Sequence, residues 1–209
     1  MTISASLGFP RIGANRELKR AVEAYWKGTI SRKSLCGTAG TIRKHNWQEQ
    51  QSAGIDHIPS NDFSFYDHVL DTAAMLGAIP CRYHFDGEKI DLDTYFAMAR
   101  GTDNVTPMEM TKWFDTNYHY IVPEFENGQS FSLKSTKIID EFIEARKLGI
   151  KTRPVLLGPV SFLVLSKSKD DNCNPMDLIG EVIPVYSQVL SKLKQEGAEW
   201  VQIDEPVLA

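Results

Sequence analysis

The stretch "RPVLLG", Arg153 to Gly158, is a continuous apolar run that follows a charged segment and ends at a glycine. Such a run is typical of a strand in a parallel sheet, where helices cover both faces. Residues 135–148 precede it with an apolar stripe at helical spacing. A second stripe over 182–193 predicts another helix, and "WVQID" (200–204) predicts the next strand. A strand, a helix and a strand in this order predict a βαβ unit.

The chain before this unit alternates in the same way. "SLGF" (6–9) predicts a strand that ends at Pro10, and Asn15 is predicted to N-cap a helix over 16–27 that Gly28 ends. The other predicted elements are a helix over 31–53, a strand over 55–59, helices at about 66–76 and 91–100, and a strand near 118–122.

Strands separated by long helical segments predict an α/β fold around a parallel sheet. We expect an incomplete (β/α)₈ TIM-type barrel with about its first five strands, because a complete barrel takes about 250 residues and this chain has 209. A doubly wound open sheet is the alternative. No GxGxxG follows the first predicted strand, which disfavours a dinucleotide-binding version of that sheet.

The composition limits the function classes. The formal charge is −4, whereas a dedicated nucleic-acid binder usually carries a basic excess. The longest apolar stretch, residues 154–165, is too short to span a bilayer, and the N-terminus has no secretory signal pattern. Three cysteines without a CxxC pair favour a reducing compartment. We therefore expect a cytoplasmic protein with no nucleic-acid or membrane partner.

Four cations lie within "LGFPRIGANRELKR", residues 7–20, although the protein as a whole is acidic. On a helical wheel, Arg16, Lys19 and Arg20 share one face, and Leu18 lies on the opposite, apolar face. The exposed N–H groups of a helix N-terminus also attract negative charge. This first turn is therefore a candidate anion-binding site.

A solvated surface is the alternative explanation of the same cations. Glu23 is spaced to pair with Lys19 or Arg20 along the helix. The position of the patch after a predicted strand favours a site, because α/β folds build their sites at the carboxyl ends of strands. Arg11, in the preceding loop, is placed to approach the same point. Both interpretations stay open on the residues alone.

The stretch "MTKWFDTNYHYIVPEF" (110–125) combines aromatic rings with ammonium, amide and imidazole groups. Such a mixture lines ligand clefts, where rings stack and a few polar groups orient the ligand. The alternative is a core segment from which Lys112 reaches the solvent.

Two further groups give weaker signals. Asp204 and Glu205 end the last predicted strand, and adjacent strand residues point to opposite faces, so we expect no paired acid and base. One of them would face the mouth of the barrel, while the other forms an ion pair or caps a turn. Cys81 and His84 form a CxxH pair, which gives zinc two of the three or four ligands that it needs. No GxSxG or Walker A motif occurs.

Several stretches together resemble the N-terminal part of the cobalamin-independent methionine synthases, the 5-methyltetrahydropteroyltriglutamate–homocysteine methyltransferases. They are "LGFPRIGANRELK", "SNDFSFYDHVL", "MTKWFDTNYHYIVPEF", "RPVLLGPVSFL" and "EWVQIDEPVL", and they follow the family's order along all 209 residues. The resemblance implies the first of two facing (β/α)₈ barrels. It places the folate-binding positions at Arg16, Glu17, Leu18 and Lys19 of "RELK" and at Lys112 of "MTKWF".

The resemblance also implies the partners. The methyl donor, 5-methyltetrahydropteroyltri-L-glutamate, carries a polyanionic tail that needs cations such as Arg16, Lys19 and Lys112. Zinc and homocysteine belong to a C-terminal barrel, where zinc lowers the pKa of the thiol.

We expect residues 1–209 to be a truncated N-terminal domain that lacks the catalytic barrel. Taken alone it would bind no zinc and catalyse no transfer, and its open strand edges would favour self-association. A stand-alone, non-catalytic half-barrel that serves as a binding module is the alternative.

Overall fold

The structure, a computed structural model, describes residues 2–126, 128–169 and 174–209. Its helices are α1 Glu17–Trp26, α2 Arg32–Ser52, α3 His68–Leu76, α4 Leu92–Arg100, α5 Lys137–Lys147, α6 Pro159–Val164 and α7 Ile179–Gln195. Its strands are β1 Ile58–Ser60, β2 Met110–Lys112, β3 His119–Ile121, β4 Glu124–Phe125, β5 Thr152–Leu157, β6 Lys167–Ser168 and β7 Gln202–Asp204. Short 3₁₀ helices lie at Cys81–Tyr83, Pro175–Leu178 and Pro206–Leu208.

A three-stranded parallel sheet in the order β1-β5-β7 forms the centre of the fold. Ile58 lies opposite Thr152, and Val155 lies opposite Gln202. The predicted strand over "RPVLLG" is confirmed as β5, the middle strand, and Leu156 and Leu157 at its carboxyl end are buried. The continuous apolar run therefore arises because β5 has a neighbour on each side and helices over it.

Helices pack against this sheet through the predicted apolar stripes. α5 contacts β5 and buries Ile138 and Phe142, and α7 buries Val182 and Val189. α3 is buried along most of its length, and the side chain of Asp67 caps its first turn. The arrangement is an α/β fold, as expected.

The predicted strand over 6–9 is wrong. In this region the chain makes an isolated parallel bridge between Ala5 and His57 and then leaves the sheet as a loop. The N–H of Phe9 donates to the carboxylate of Asp62 instead of a neighbouring strand, and Pro10 has no N–H to donate. A side-chain acceptor has thus replaced the strand-to-strand backbone hydrogen bonds that the apolar residues over 6–9 predicted.

The strand near 118–122 exists as β3, but it does not join the parallel sheet. It pairs antiparallel with β2, and Lys112 lies opposite His119. The connection over 113–118 is far shorter than the dozen or more residues that a parallel crossover takes, so only a hairpin can form. In the described residues the central sheet has three strands where the sequence predicted five.

The predicted cap of α1 is also wrong. The N-cap residue is Arg16, with φ of 63°, and it makes no side-chain capping bond. Asn15, predicted to cap the helix as a hydrogen-bond acceptor, is instead a donor: its backbone N–H donates to the carboxylate of Glu17 at 2.9 Å.

Within the described ranges, no helix combines the length and apolarity needed to cross a membrane.

Candidate functional site

A cleft of about 880 Å³ opens where the carboxyl ends of the central strands meet. The loop over 7–11 forms one wall, the segment after β1 forms the floor, and Trp113, Tyr118 and His119 of the β2–β3 hairpin form another wall. Ligands of parallel α/β sheets bind at this edge, beyond the carboxyl ends of the strands. A second cavity of about 420 Å³ lies among α2, α3, α4 and α5, but the cleft at the strand ends is the better candidate site on this ground.

Three long-range hydrogen bonds fix the loop wall of the cleft. The Phe9 N–H donates to Asp62 at 2.9 Å, and the Arg11 guanidinium donates through Nη1 to the Ser64 carbonyl at 2.6 Å. The Asn46 amide of α2 donates to the Pro10 carbonyl at 3.4 Å. The loop that leads into α1 is therefore held against the end of β1.

Asp67 joins the floor of the cleft to the hairpin wall. Its carboxylate accepts hydrogen bonds from Val69 and Leu70 at 2.8 Å each, which caps α3, and from the Ile121 N–H of β3 at 3.0 Å. Burial raises the pKa of Asp67 to about 7, despite the three N–H donors that favour the charged form. Burial also raises the pKa of the neighbouring Asp62.

Aromatic rings cover the hairpin wall. The rings of His68 and Trp113 meet edge to face with their centroids 4.5 Å apart, and Trp113 contacts Tyr120 in the same way at 5.8 Å. The His68 ring is exposed on the side of the cleft. The protein atoms around the rest of the ring partly desolvate it, and this desolvation lowers its pKa. Tyr118 at the hairpin tip is 79% exposed. This wall offers flat apolar faces to a planar ligand.

Asp204 and Glu205 both line the cleft, but they do different work. Asp204 accepts a hydrogen bond from the Gln202 side chain at 2.6 Å. Glu205 accepts from the N–H groups of Val160 at 3.0 Å and Ser161 at 2.6 Å, and so caps α6. The expectation that one of the two caps a turn is confirmed. Gly158 makes this approach feasible, because a Cβ there would clash with the carboxyl group of Glu205.

The predicted "RELK" residues share the first turn of α1 but have different surroundings. Arg16 is exposed at the N-cap, and Nζ of Lys19 lies 3.7 Å from Oε1 of Glu23, with both side chains about half exposed. The carboxylate of Glu17 accepts from its own N–H and from that of Asn15, and these bonds lower its pKa. Leu18 is 3% exposed, so its side chain belongs to the core, as the helical wheel predicts.

Lys112 ends β2 with an exposed side chain. Its neighbour Trp113 lines the cleft, whereas Lys112 and the α1 residues Arg16 and Lys19 lie outside the lining. In the part of the chain that the structure describes, no hydrogen bond or ion pair joins Lys112 to the first turn of α1. The predicted cations thus lie on two separate elements, α1 and the β2–β3 hairpin, and outside the lining of the cleft.

Sequence reasoning assigned no role to the floor of the cleft. Asn61, Asp62, Ser64 and Asp67 all follow β1 within "SNDFSFYDH", and Asn61 adopts a φ of 63° there. The available signal was the concentration of Asn, Asp and Ser directly after a strand, where polar side chains gather at the carboxyl edge of a sheet.

The described residues do not form a metal centre. Among them no group of three or more His, Cys, Asp or Glu side chains is arranged to hold an ion. Cys36 and Cys81 are exposed free thiols, and a hydrogen bond with Glu126 raises the pKa of Cys81. Cys173 lies outside the described residues.

Comparison with known proteins identifies relatives along the whole chain. The family model described as "Cobalamin-independent synthase, N-terminal domain" matches residues 3–209. A 5-methyltetrahydropteroyltriglutamate–homocysteine methyltransferase of Salinibacter ruber is 54% identical over all of this chain and 28% of its own length. The enzyme of the same name from Flavobacterium johnsoniae is 57% identical over 98% of this chain and 27% of its own length. The chain therefore spans somewhat more than a quarter of these relatives.

A solved structure shares the fold. A B12-independent methionine synthase from Shewanella sp. W3-18-1, solved with selenomethionine, superposes with a TM-score of 0.58. The alignment covers 85% of this chain and 44% of the other, at 17% identity.

Proposed function

Because the chain belongs to the cobalamin-independent synthase family, matching its N-terminal domain, we propose that it is the folate-binding N-terminal portion of a cobalamin-independent methionine synthase. The full enzyme would transfer the methyl group of 5-methyltetrahydropteroyltri-L-glutamate to L-homocysteine and form methionine in the cytoplasm. The match along residues 3–209 carries the proposal. The cleft at the strand ends supports it, because the Arg11 guanidinium and the aromatic rings of the hairpin line it.

We extend the proposal to the architecture. The bridge of Ala5 with His57 and the order β1-β5-β7 give four parallel segments in chain order, as in the first half of a (β/α)₈ barrel. The β2–β3 hairpin would then be an excursion above the carboxyl end of that barrel. Residues 1–209 would form part of the N-terminal barrel, with a C-terminal barrel for catalysis.

The cations suit the tail of the methyl donor. A triglutamate tail carries several carboxylates on a flexible chain, and Arg16 can bind one of them through two parallel hydrogen bonds. The ion pair of Lys19 with Glu23 is half exposed, and such pairs contribute about 0–1 kcal/mol, so a substrate carboxylate can compete for Lys19. Lys112, exposed on the hairpin, would hold a further carboxylate from the other side.

A zinc ion does not fit this part of the enzyme. The described residues provide no set of three ligands, so a zinc ion and the homocysteine thiol would be held by the C-terminal barrel. The work of this chain would be to bind and orient the methyl donor.

The proposal is tested by kinetics of Lys19→Gln and Lys112→Gln in the full-length enzyme. Each lost contact of an exposed lysine is worth up to about 1 kcal/mol, which corresponds to a KM for the triglutamate donor that is up to about 5-fold higher. The monoglutamate donor should be affected much less, and kcat should change little because the tail is remote from the methyl group.

Lys27→Gln is the matched control, because Lys27 is exposed at the opposite end of α1. Its KM values should equal those of the wild type with both donors. If Lys19→Gln and Lys112→Gln change the KM equally for long and short tails, these lysines belong to the ordinary solvated surface and the tail-binding role is wrong.

A further inference from the structure

Arg11 is the one lysine or arginine side chain that lines the cleft among the described residues. It is half-buried, and no described carboxylate lies within ion-pair distance of it. Its hydrogen bond to the Ser64 carbonyl at 2.6 Å uses one N–H of Nη1. A guanidinium has five N–H donors in a fixed plane, so most of its donor capacity remains for a ligand.

Ser64, whose carbonyl accepts the hydrogen bond from Arg11, is itself held by a hydrogen bond of its side chain. Ser64 is buried, and its hydroxyl donates to Oδ2 of Asp71 at 2.7 Å. Oδ1 of Asp71 accepts from the Tyr95 hydroxyl at 2.6 Å. Through these contacts, α3 and α4 fix the position of Ser64, whose carbonyl accepts from the Arg11 guanidinium.

Lys137 holds the segment that leads into Ser64. Its ammonium donates to the Asn61 side chain at 2.7 Å and to the Phe63 carbonyl at 2.5 Å. The same ammonium lies 3.2 Å from Asp71 and 3.3 Å from Glu141. Two carboxylates therefore balance one half-buried cation, which also holds the segment that carries the Ser64 carbonyl.

Each acidic residue of the cleft accepts at least one hydrogen bond from the protein, Asp204 from the Gln202 side chain. Asp62 accepts from Phe9, Asp67 caps α3, and Glu205 caps α6. Asp71 is balanced by Lys137. A ligand anion in the cleft therefore meets carboxylates that are already hydrogen-bonded and one guanidinium that has donors to spare.

We propose that Arg11 binds a substrate carboxylate inside the cleft through bidentate hydrogen bonds, a contact separate from the tail site of Arg16, Lys19 and Lys112. This inference rests on the proposed function. Free carboxylates are present on the first glutamate of the methyl donor, on its tail and on homocysteine. The chemistry at Arg11 is the same for each, because a planar guanidinium matches a planar carboxylate.

The test measures KM for three substrates with Arg11→Gln and Arg11→Lys in the full-length enzyme: the monoglutamate donor, the triglutamate donor and homocysteine. Loss of a charge-assisted bidentate contact should raise the KM of the bound substrate by about 10- to 150-fold in Arg11→Gln. Arg11→Lys should recover part of the loss, because an ammonium keeps the charge but not the paired geometry. Arg32→Gln, exposed and outside the cleft, is the control.

The pattern of KM changes identifies the carboxylate. Equal changes with both donors assign it to the first glutamate, a larger change with the triglutamate assigns it to the tail, and a change confined to homocysteine assigns it to the amino acid. Each of these outcomes supports a carboxylate contact at Arg11. Wild-type KM values for all three substrates would overturn the inference. If Lys19→Gln and Lys112→Gln still discriminate the two tail lengths, the proposed function stands although the inference fails.

Chemical rescue keeps the test valid if the Arg11 variants lose stability. Added guanidinium at millimolar concentration should lower the raised KM of Arg11→Ala and leave Arg32→Ala unaffected. A general packing defect would not be repaired by a small cation, so the absence of rescue together with a lowered melting temperature would overturn the inference.

Discussion

Replacing Asp67 with Asn should remove a pH dependence of folding stability. Asp67 is buried and its pKa is raised from 3.8 to about 7, so the folded chain binds a proton that the unfolded chain releases. The free energy of unfolding should therefore rise as the pH falls through 7 and be smaller above pH 7. At about 1.36 kcal/mol per pKa unit the full effect is about 4 kcal/mol, and about 3 kcal/mol of it falls between pH 8.5 and 5.

In Asp67→Asn, the free energy of unfolding should lack this pH dependence but be lower by a constant amount at every pH. Asn can still accept from Val69 and Leu70, but its amide would face the Ile121 N–H, and losing that bond costs about 1–3 kcal/mol. His68, whose pKa is lowered, contributes a slope of the opposite sign in both proteins. The difference between wild type and variant therefore isolates Asp67.

Urea unfolding of the 209-residue chain between pH 5 and 8.5 measures this difference. Asp91→Asn is the matched control, because Asp91 caps α4 in the same way at an exposed position. The wild type should exceed Asp67→Asn by about 3 kcal/mol more at pH 5 than at pH 8.5. A difference that does not change with pH would show that burial does not raise the pKa of Asp67 into this range.

Two more predictions follow from the capping carboxylate and from the sheet edge. Glu205→Ala should lower the free energy of unfolding by about 1–3 kcal/mol in urea titrations, because two N–H groups of α6 lose their acceptor. Glu199 is exposed, so Glu199→Ala should change the free energy of unfolding little. Equal effects of the two substitutions would argue against the cap. The 209-residue chain should self-associate through the outer edge of β7, where Ile203 is 46% exposed, and light scattering that shows a stable monomer at micromolar concentrations would contradict this.

The parts of the fold that follow local periodicity could be predicted from the sequence. The apolar run of β5 and the stripes of α5 and α7 each depend on burial of one element, so composition and spacing suffice. The failure at 6–9 has a long-range cause, because the acceptor of the Phe9 N–H lies 53 residues away. Likewise, periodicity identified β3 as a strand but could not show that its partner is the antiparallel β2.

In the candidate site, too, local spacing could be predicted from the sequence, whereas long-range contacts could not. The helical wheel correctly placed Leu18 in the core, and the spacing of Lys19 and Glu23 predicted their ion pair. The support of Arg11 could not be predicted, because Ser64 lies 53 residues from it and Lys137 lies 74 residues from Phe63. Such a network is assembled by tertiary packing and leaves no local pattern.

A crystal structure of the full-length enzyme with 5-methyltetrahydropteroyltri-L-glutamate would show directly whether this chain holds the tail of the methyl donor. Tail carboxylates should lie within hydrogen-bonding distance of the first turn of α1, at Arg16 or Lys19, and of Lys112 on the hairpin. A tail that extends into solvent, or that binds elsewhere while these three cations keep their present surroundings, would contradict this prediction.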